Sequence, residues 1–147
     1  MCASISRAWA MPSSETFRLT PVAEFVARWC PKGCNSIDPF ARNSSVARVT
    51  NDINHDTTAD FHMDAEEFLD MLRRRGDRVD VVLFDPPYSP RQVAECYRAA
   101  GKVVTSNDTQ NAALYRRVRD AIDALLRPGG VVLSFGWNTT GMGKGRG

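Results

Sequence analysis

The chain has 147 residues, of which 43% are hydrophobic and 24% charged, and its formal net charge is +2. That length suits one domain with a real core and leaves no room for a second full domain, and no apolar run is long enough to cross a bilayer. The charge excess is too mild to argue for a nucleic-acid partner by itself.

Residues 1–10 hold one Arg and lack a continuous apolar segment. They read as a disordered tail, not a secretory signal, which leaves 11–147 as the folded domain and the cytoplasm as its place of action. The four cysteines, Cys2, Cys30, Cys34 and Cys96, show no framework spacing and read as free, reduced thiols. A zinc reading of Cys30 and Cys34 with His55 and His62 fails on spacing, so no metal is expected.

In chain order, Val22, Phe25, Val26 and Trp29 recur at helical spacing, predicting a helix over 21–29 that ends at Pro31 and Gly33. A short strand follows at 36–38, a second at 46–50, and a weaker third at 60–62. Asp64 opens a helix, with Glu67 three residues on as the partner of a capping box and Phe68, Met71 and Leu72 as its apolar face. That helix stops at Gly76. Residues 79–84 are nearly all apolar, as a strand buried on both faces of a parallel sheet should be.

Ser89-Pro90 reads as an N-cap with proline at the first helical position, starting a helix that runs to about Ala100 before Gly101. Another helix begins near Asp108 or Thr109, carries Leu114, Val118, Ile122 and Leu125 on one face, and ends at Arg127-Pro128-Gly129-Gly130. A buried strand at 131–135 closes the pattern, and 136–147 form a glycine-rich tail. Alternating short strands and helices predict an α/β fold with a mostly parallel sheet. Only seven residues would separate the first two strands, so the first crossover helix must be reduced to a turn.

The sharpest chemical feature is Asp85-Pro86-Pro87-Tyr88, placed where the surest strand meets its following loop. Ligand sites of open α/β sheets gather at that carboxyl end. The lone pair of an exocyclic base amine is delocalised into the ring, so its nitrogen is a poor nucleophile. A carboxylate and a backbone carbonyl that accept both amine hydrogens draw the nitrogen toward tetrahedral geometry. Asp85 and the Pro86 carbonyl can supply these acceptors, two prolines restrict the torsions that aim them, and the Tyr88 ring can stack on the base. The target base must then be flipped out or already single-stranded. The plain structural alternative is a turn after a strand.

With those residues in place, the chain resembles the amino-methyltransferase family that uses S-adenosylmethionine, and most closely the small phage-type adenine-specific DNA methylases. The resemblance runs from about Met11 to Gly147. It implies a Rossmann-like class I methyltransferase fold, with S-adenosylmethionine as cofactor, DNA as partner and adenine N6 as target, acting in a host cytoplasm if the protein is phage-encoded. It also implies a cofactor pocket drawn from Thr20 and Pro21, from Asp38-Pro39-Phe40-Ala41, from Asp52, and from Asp64 with Ala65. Asp85 to Tyr88 form the catalytic loop.

Asp52 stands where an acidic residue hydrogen-bonds ribose hydroxyls in nucleotide-binding α/β folds, although Asn51-Asp52-Ile53-Asn54 also reads as a surface turn. Asp64 can accept from the cofactor's adenine amine and is also a good N-cap. Phe40 either packs on the cofactor or fills the core.

Two departures from the family's pattern stand out. The loop after Asp-Pro-Phe usually continues with small residues and glycines, whereas here it reads Ala41-Arg42-Asn43-Ser44-Ser45. The family's sheet also continues past its last strand here into an antiparallel hairpin, which residues 136–147 cannot easily build, so the C-terminal hairpin reads as truncated and an apolar strand is left at an open edge, able to pair with a second copy. Lys144 and Arg146 in that tail are candidate phosphate contacts, with a solvated tail as the alternative. A base-amine methyltransferase acting on RNA, or a catalytically idle nucleic-acid-binding or decoy protein of the same fold, remain the rival readings.

Overall fold

The computed structural model of the chain describes residues 15–87, 89–103, 111–136 and 141–143, without the side chains of Pro90 and of 111–114. After a single 3-10 turn at Thr16–Arg18, the elements run α1 (Thr20–Trp29), β1 (Ser36–Asp38), β2 (Val49–Thr50), α2 (Ala65–Arg74), β3 (Val79–Phe84), α3 (Pro90–Ala99), α4 (Asn111–Leu125) and β4 (Leu126–Ser134). The four strands form one sheet in the order β2-β1-β3-β4, and every pairing is parallel. This is an α/β architecture compatible with a Rossmann-like fold. Among the described residues, no helix is long and apolar enough to cross a membrane.

Strand β3 explains the layering. Its side chains alternate, so Val82 and Phe84 join a core built from Phe68, Leu69 and Leu72 of α2 with Val118, Ile122 and Leu125 of α4. Val81 and Leu83 point the other way, into a second core with Val26 of α1, Ala47 and Leu133. Burial on both faces is why the strand is nearly continuous in apolar residues.

The helix ends are chemically specified. Ser89 and Gln92 close a reciprocal capping box at the start of α3, with bonds of 3.1 and 3.0 Å. At the far end of α2, Asp77 N–H donates to Leu72 and Gly76 N–H to Arg73, with Gly76 at φ +78°, the double bond of a Schellman stop. The Asp64 cap closes on the backbone N–H of Glu66 at 3.0 Å, not on Glu67 as the capping-box reading had it.

Three sequence expectations need correction, and others fall outside the described residues. The strand expected at 46–50 contracts to Val49–Thr50, because Arg48 N–H donates to the Ser36 hydroxyl in place of a ladder bond. The third strand at 60–62 is a single parallel bridge between Asn51 and Phe61. There the Asp60 carboxylate takes both the N–H and the hydroxyl of Thr50 at 2.9 Å, diverting the ladder into side-chain bonds. The last strand begins at Leu126, five residues before the expected start, with Val79 facing Leu126 and Val81 facing Val131. Arg127-Pro128-Gly129-Gly130 are therefore bulged inside the strand instead of ending a helix before it. The disordered tail, the beginning of the helix near 108 and nearly all of the segment after 136 lie outside the described residues.

The first crossover does lack a helix: residues 39–48 run as turns, bends and irregular backbone. Asn51, fully buried, holds this stretch together. Its amide donates to the carbonyls of Pro39 (3.1 Å) and Met63 (3.0 Å), and its oxygen accepts from Met63 N–H (3.2 Å). One side chain thus ties the loop after β1 to the loop before α2.

Candidate functional site

The chain enters the sheet at β1, moves to β2 on one side, and then crosses to β3 on the other. The switch point of the topology falls between β1 and β3, where ligand crevices of open α/β sheets form at the strands' carboxyl ends. A partly open cleft lies there. Its lining includes Pro39 and Phe40 after β1, Asp52 after β2, Asp64 and Ala65 at the start of α2, and Asp85 and Pro87 after β3. Residues spread over nearly fifty positions of sequence therefore meet in one cavity.

Other expected residues lie elsewhere. Asp38 and Ala41 are buried but outside the cleft lining. Thr20 and Pro21 form the first turn of α1, Thr20 exposed, and also lie outside the lining. Their place near the site is taken by Thr16, whose hydroxyl donates to Asp85 Oδ2 at 2.7 Å. Pro86 is buried beside the cleft-lining Asp85 and Pro87. Tyr88, Lys144 and Arg146 lie outside the described residues.

The cleft's other residues were not expected from the sequence to be site residues, although Val118 was expected on an apolar helix face and Cys96 as a free thiol. Val93, Cys96 and Tyr97 present one face of α3, and Tyr115 and Val118 one face of α4. The Tyr97 hydroxyl donates to Asp64 Oδ2 at 2.7 Å, while Oδ1 of the same carboxylate caps α2. The Tyr115 hydroxyl donates to the Pro87 carbonyl, so α4 fixes the loop that follows β3. Tyr115 stands at i−3 from Val118 and i−7 from Ile122, and that spacing could have revealed it as part of the same buried face.

Arg42 resolves the anomaly of the first loop. It is the only non-glycine at positive φ among the described residues, at +52°. The left-handed geometry that favours glycine is thus adopted by an arginine, at a cost of about 1–2 kcal/mol. Its N–H donates to Asp52 Oδ2 at 2.9 Å, while Asp52 Oδ1 accepts from Asn54 N–H. The side chain of Arg42 reaches the cleft lining.

Three carboxylates, Asp52, Asp64 and Asp85, against the single cation of Arg42 give the lining a negative balance. Burial raises the Asp85 carboxyl above the ordinary aspartate range, opposed by the Thr16 hydroxyl and then by the Arg42 charge. Asp38 is more extreme. Burial pushes it up to about 8 against the Phe40 N–H, which favours the carboxylate, and the charges of Asp85 and Asp52 push the same way as burial. Its Oδ2 is buried without a hydrogen-bond partner. Among the described residues, no group of three or more His, Cys, Asp or Glu side chains could hold a metal ion.

No protein-family model matches the chain, and no curated protein matches it in sequence.

Proposed function

We propose that the protein is an S-adenosylmethionine-dependent methyltransferase acting on the N6 amino group of adenine in DNA. The observation that carries this reading is the convergence of the Asp85-Pro86-Pro87 loop with Phe40, Asp52 and Asp64 around one cleft at the topological switch point. The proposal rests also on the resemblance of Asp85 to Tyr88 to the family's catalytic tetrapeptide.

The residues present fit such a cofactor. Its donor-rich, cationic character matches a lining with three carboxylates, and its adenine ring matches the apolar walls of Phe40, Ile53 and Val93. Asp52 would hold the ribose hydroxyls. Both its oxygens already accept one backbone N–H, yet a carboxylate has lone pairs for more. Asp64, held by Tyr97 and by its own helix, keeps lone pairs for an adenine amine. When bound, the cofactor supplies an electrophilic methyl group.

Asp85 does the work on the base. Thr16 occupies Oδ2 and fixes the carboxylate's orientation, leaving Oδ1 as an acceptor for one hydrogen of the target amine. Tyr115 holds the Pro87 carbonyl and so sets the path of the loop from which the Pro86 carbonyl would accept the other. The interaction matters most in the transition state, when the nitrogen turns pyramidal and its hydrogens grow more acidic.

The test is incubation with labelled methyl donor in the presence of DNA and of RNA, followed by identification of the modified nucleoside. N6-methyladenine in DNA is the expected product. Label in RNA alone would move the activity to that polymer, and failure to bind S-adenosylmethionine by calorimetry would leave an idle protein of the same fold. Asp85→Asn keeps an oxygen for Thr16 and should fold normally while transfer falls by about 10²-fold or more, the usual scale for losing one preorganised contact to developing charge. Near-normal turnover of that variant would overturn the role given to Asp85.

A further inference from the structure

Away from the cleft, the connection from α1 to β1 brings together two thiols that the sequence alone leaves four residues apart. Cys30 caps the end of α1, its N–H donating to the Val26 carbonyl at 2.7 Å. Pro31 cannot continue the helix, Gly33 takes φ +90°, and Cys34 N–H closes back on the Pro31 carbonyl at 3.0 Å. This turn sets Cys34 Sγ 2.8 Å from Cys30 Sγ. A disulfide bond is about 2.05 Å long, so the sulfurs lie within about 1 Å of bonding distance without any rearrangement of the fold.

We propose that Cys30 and Cys34 form a redox-active dithiol that closes into an intrachain disulfide by exchange with a low-molecular-weight disulfide. The order of events follows from exposure. Cys30 is buried, whereas Cys34 is half-buried behind the exposed turn of Pro31, Lys32 and Gly33. Burial also pushes the Cys30 thiol up to about 11, with the adjoining Cys34 thiol adding to the rise, so Cys30 is the poorer first attacker.

The Cys34 thiolate attacks one sulfur of the external disulfide, and that bond breaks to release the first small thiolate. The released thiolate takes the Cys30 proton, and Cys30 sulfur then attacks Cys34 sulfur, expelling the second small thiolate, which picks up the proton that Cys34 gave to solvent. The protein dithiol is oxidised by two electrons, and the external disulfide is reduced to two thiols. The closed bond ties the end of α1 to the entrance of β1, whose last residue is Asp38. None of this depends on methyl transfer, since neither sulfur lines the cleft.

The test equilibrates the full chain in graded mixtures of reduced and oxidised glutathione, quenches in acid, alkylates under denaturing conditions and maps the labels. The chain has four cysteines, and four labels are expected in reducing mixtures. In oxidising mixtures the peptide holding Cys30 and Cys34 should lose both of its labels together and lose the mass of two hydrogens. Cys30→Ser should trap a glutathione mixed disulfide on Cys34, and in Cys34→Ser the labelling of Cys30 should be lost at least about tenfold more slowly than in the wild type. A peptide that keeps both labels in every mixture, or a bridge mapped to Cys2 or Cys96, would overturn the proposal. Equal rates in Cys34→Ser and wild type would overturn the assignment of Cys34 as the entry thiol.

Discussion

Asp38 is a buried carboxyl and Asp85 a half-buried one near the carboxyl end of the sheet, and their partners give them different behaviour. Asp85 is held by Thr16, whose hydroxyl favours the charged form. A base-amine methyltransferase needs that charged form, so activity should fall as pH drops through the raised ionisation of Asp85. Thr16→Val removes the hydroxyl and keeps the shape, and it should move this acid limb to higher pH while the alkaline plateau changes less. A pH–rate profile that did not move would remove Thr16 from the site.

For Asp38 the consequence is stability. Its folded carboxyl ionises near 8 and its unfolded one near 3.8, so the folded state holds the proton more tightly. The contribution is therefore complete below about pH 4 and lost as pH rises toward 8. Asp38→Asn keeps an acceptor for Phe40 N–H and cannot ionise, so the melting temperature of the variant should be flatter than that of the wild type between those limits. Parallel melting curves across that range would contradict the assignment. Of these residues, the sequence showed Asp85 and Asp38 through the company they keep, but Thr16 could not be found because its bond crosses 69 positions.

At the scale of elements, what the sequence made legible was whatever local chemistry decides. The caps at Ser89 and Asp64, the stops at Gly76 and Gly101, and the doubly buried β3 are each written in a few adjacent residues. What it concealed depended on partners. Pro128-Gly129-Gly130 read as the end of a helix and its following turn, yet at the outer strand they fit a bulge, which tolerates a missing N–H and a positive φ. Gly130 is also needed for space, since a Cβ there would stand 2.9 Å from the Arg127 carbonyl oxygen.

The Tyr97 and Tyr115 hydroxyls belong to this concealed class, because an aromatic on a helical face looks like core until its hydroxyl finds a partner. Tyr115→Phe preserves the packing against Phe84 and removes the bond to the Pro87 carbonyl. The expected loss is about 1–3 kcal/mol of stability, from a carbonyl left unpaired, together with a fall in methyl transfer of up to about 10²-fold through misplacement of the loop. Chemical denaturation and a transfer assay on one preparation would separate the two effects. A variant as active as the wild type would show that the loop holds its place without α4.

At the scale of the whole molecule, the sheet formed by the described residues has two unequal edges. β2 contributes only two ladder residues and is followed by the side-chain bonds of Asp60, which blunt that edge. β4 runs for nine residues and, among the described residues, pairs with β3 alone. Its first half carries its own protection, since Arg127 brings a charge and Pro128 lacks an N–H to donate. The run Val131-Val132-Leu133-Ser134 has neither device. Backbone groups without a partner strand among the described residues, beside three consecutive apolar side chains, form a template for a second copy, in the register that pairs most of them. The protein should therefore associate with rising concentration, its weight-average mass increasing in sedimentation equilibrium. Ser134 is the exposed position of that run, and Ser134→Lys would set like charges against each other across a symmetric edge-to-edge contact without disturbing either core. The variant should remain monomeric over a range at least about tenfold higher in concentration, a difference of about 1.4 kcal/mol in the association free energy. A wild type that stays monomeric at every concentration would show that this edge is covered, and equal association of both proteins would place the contact elsewhere.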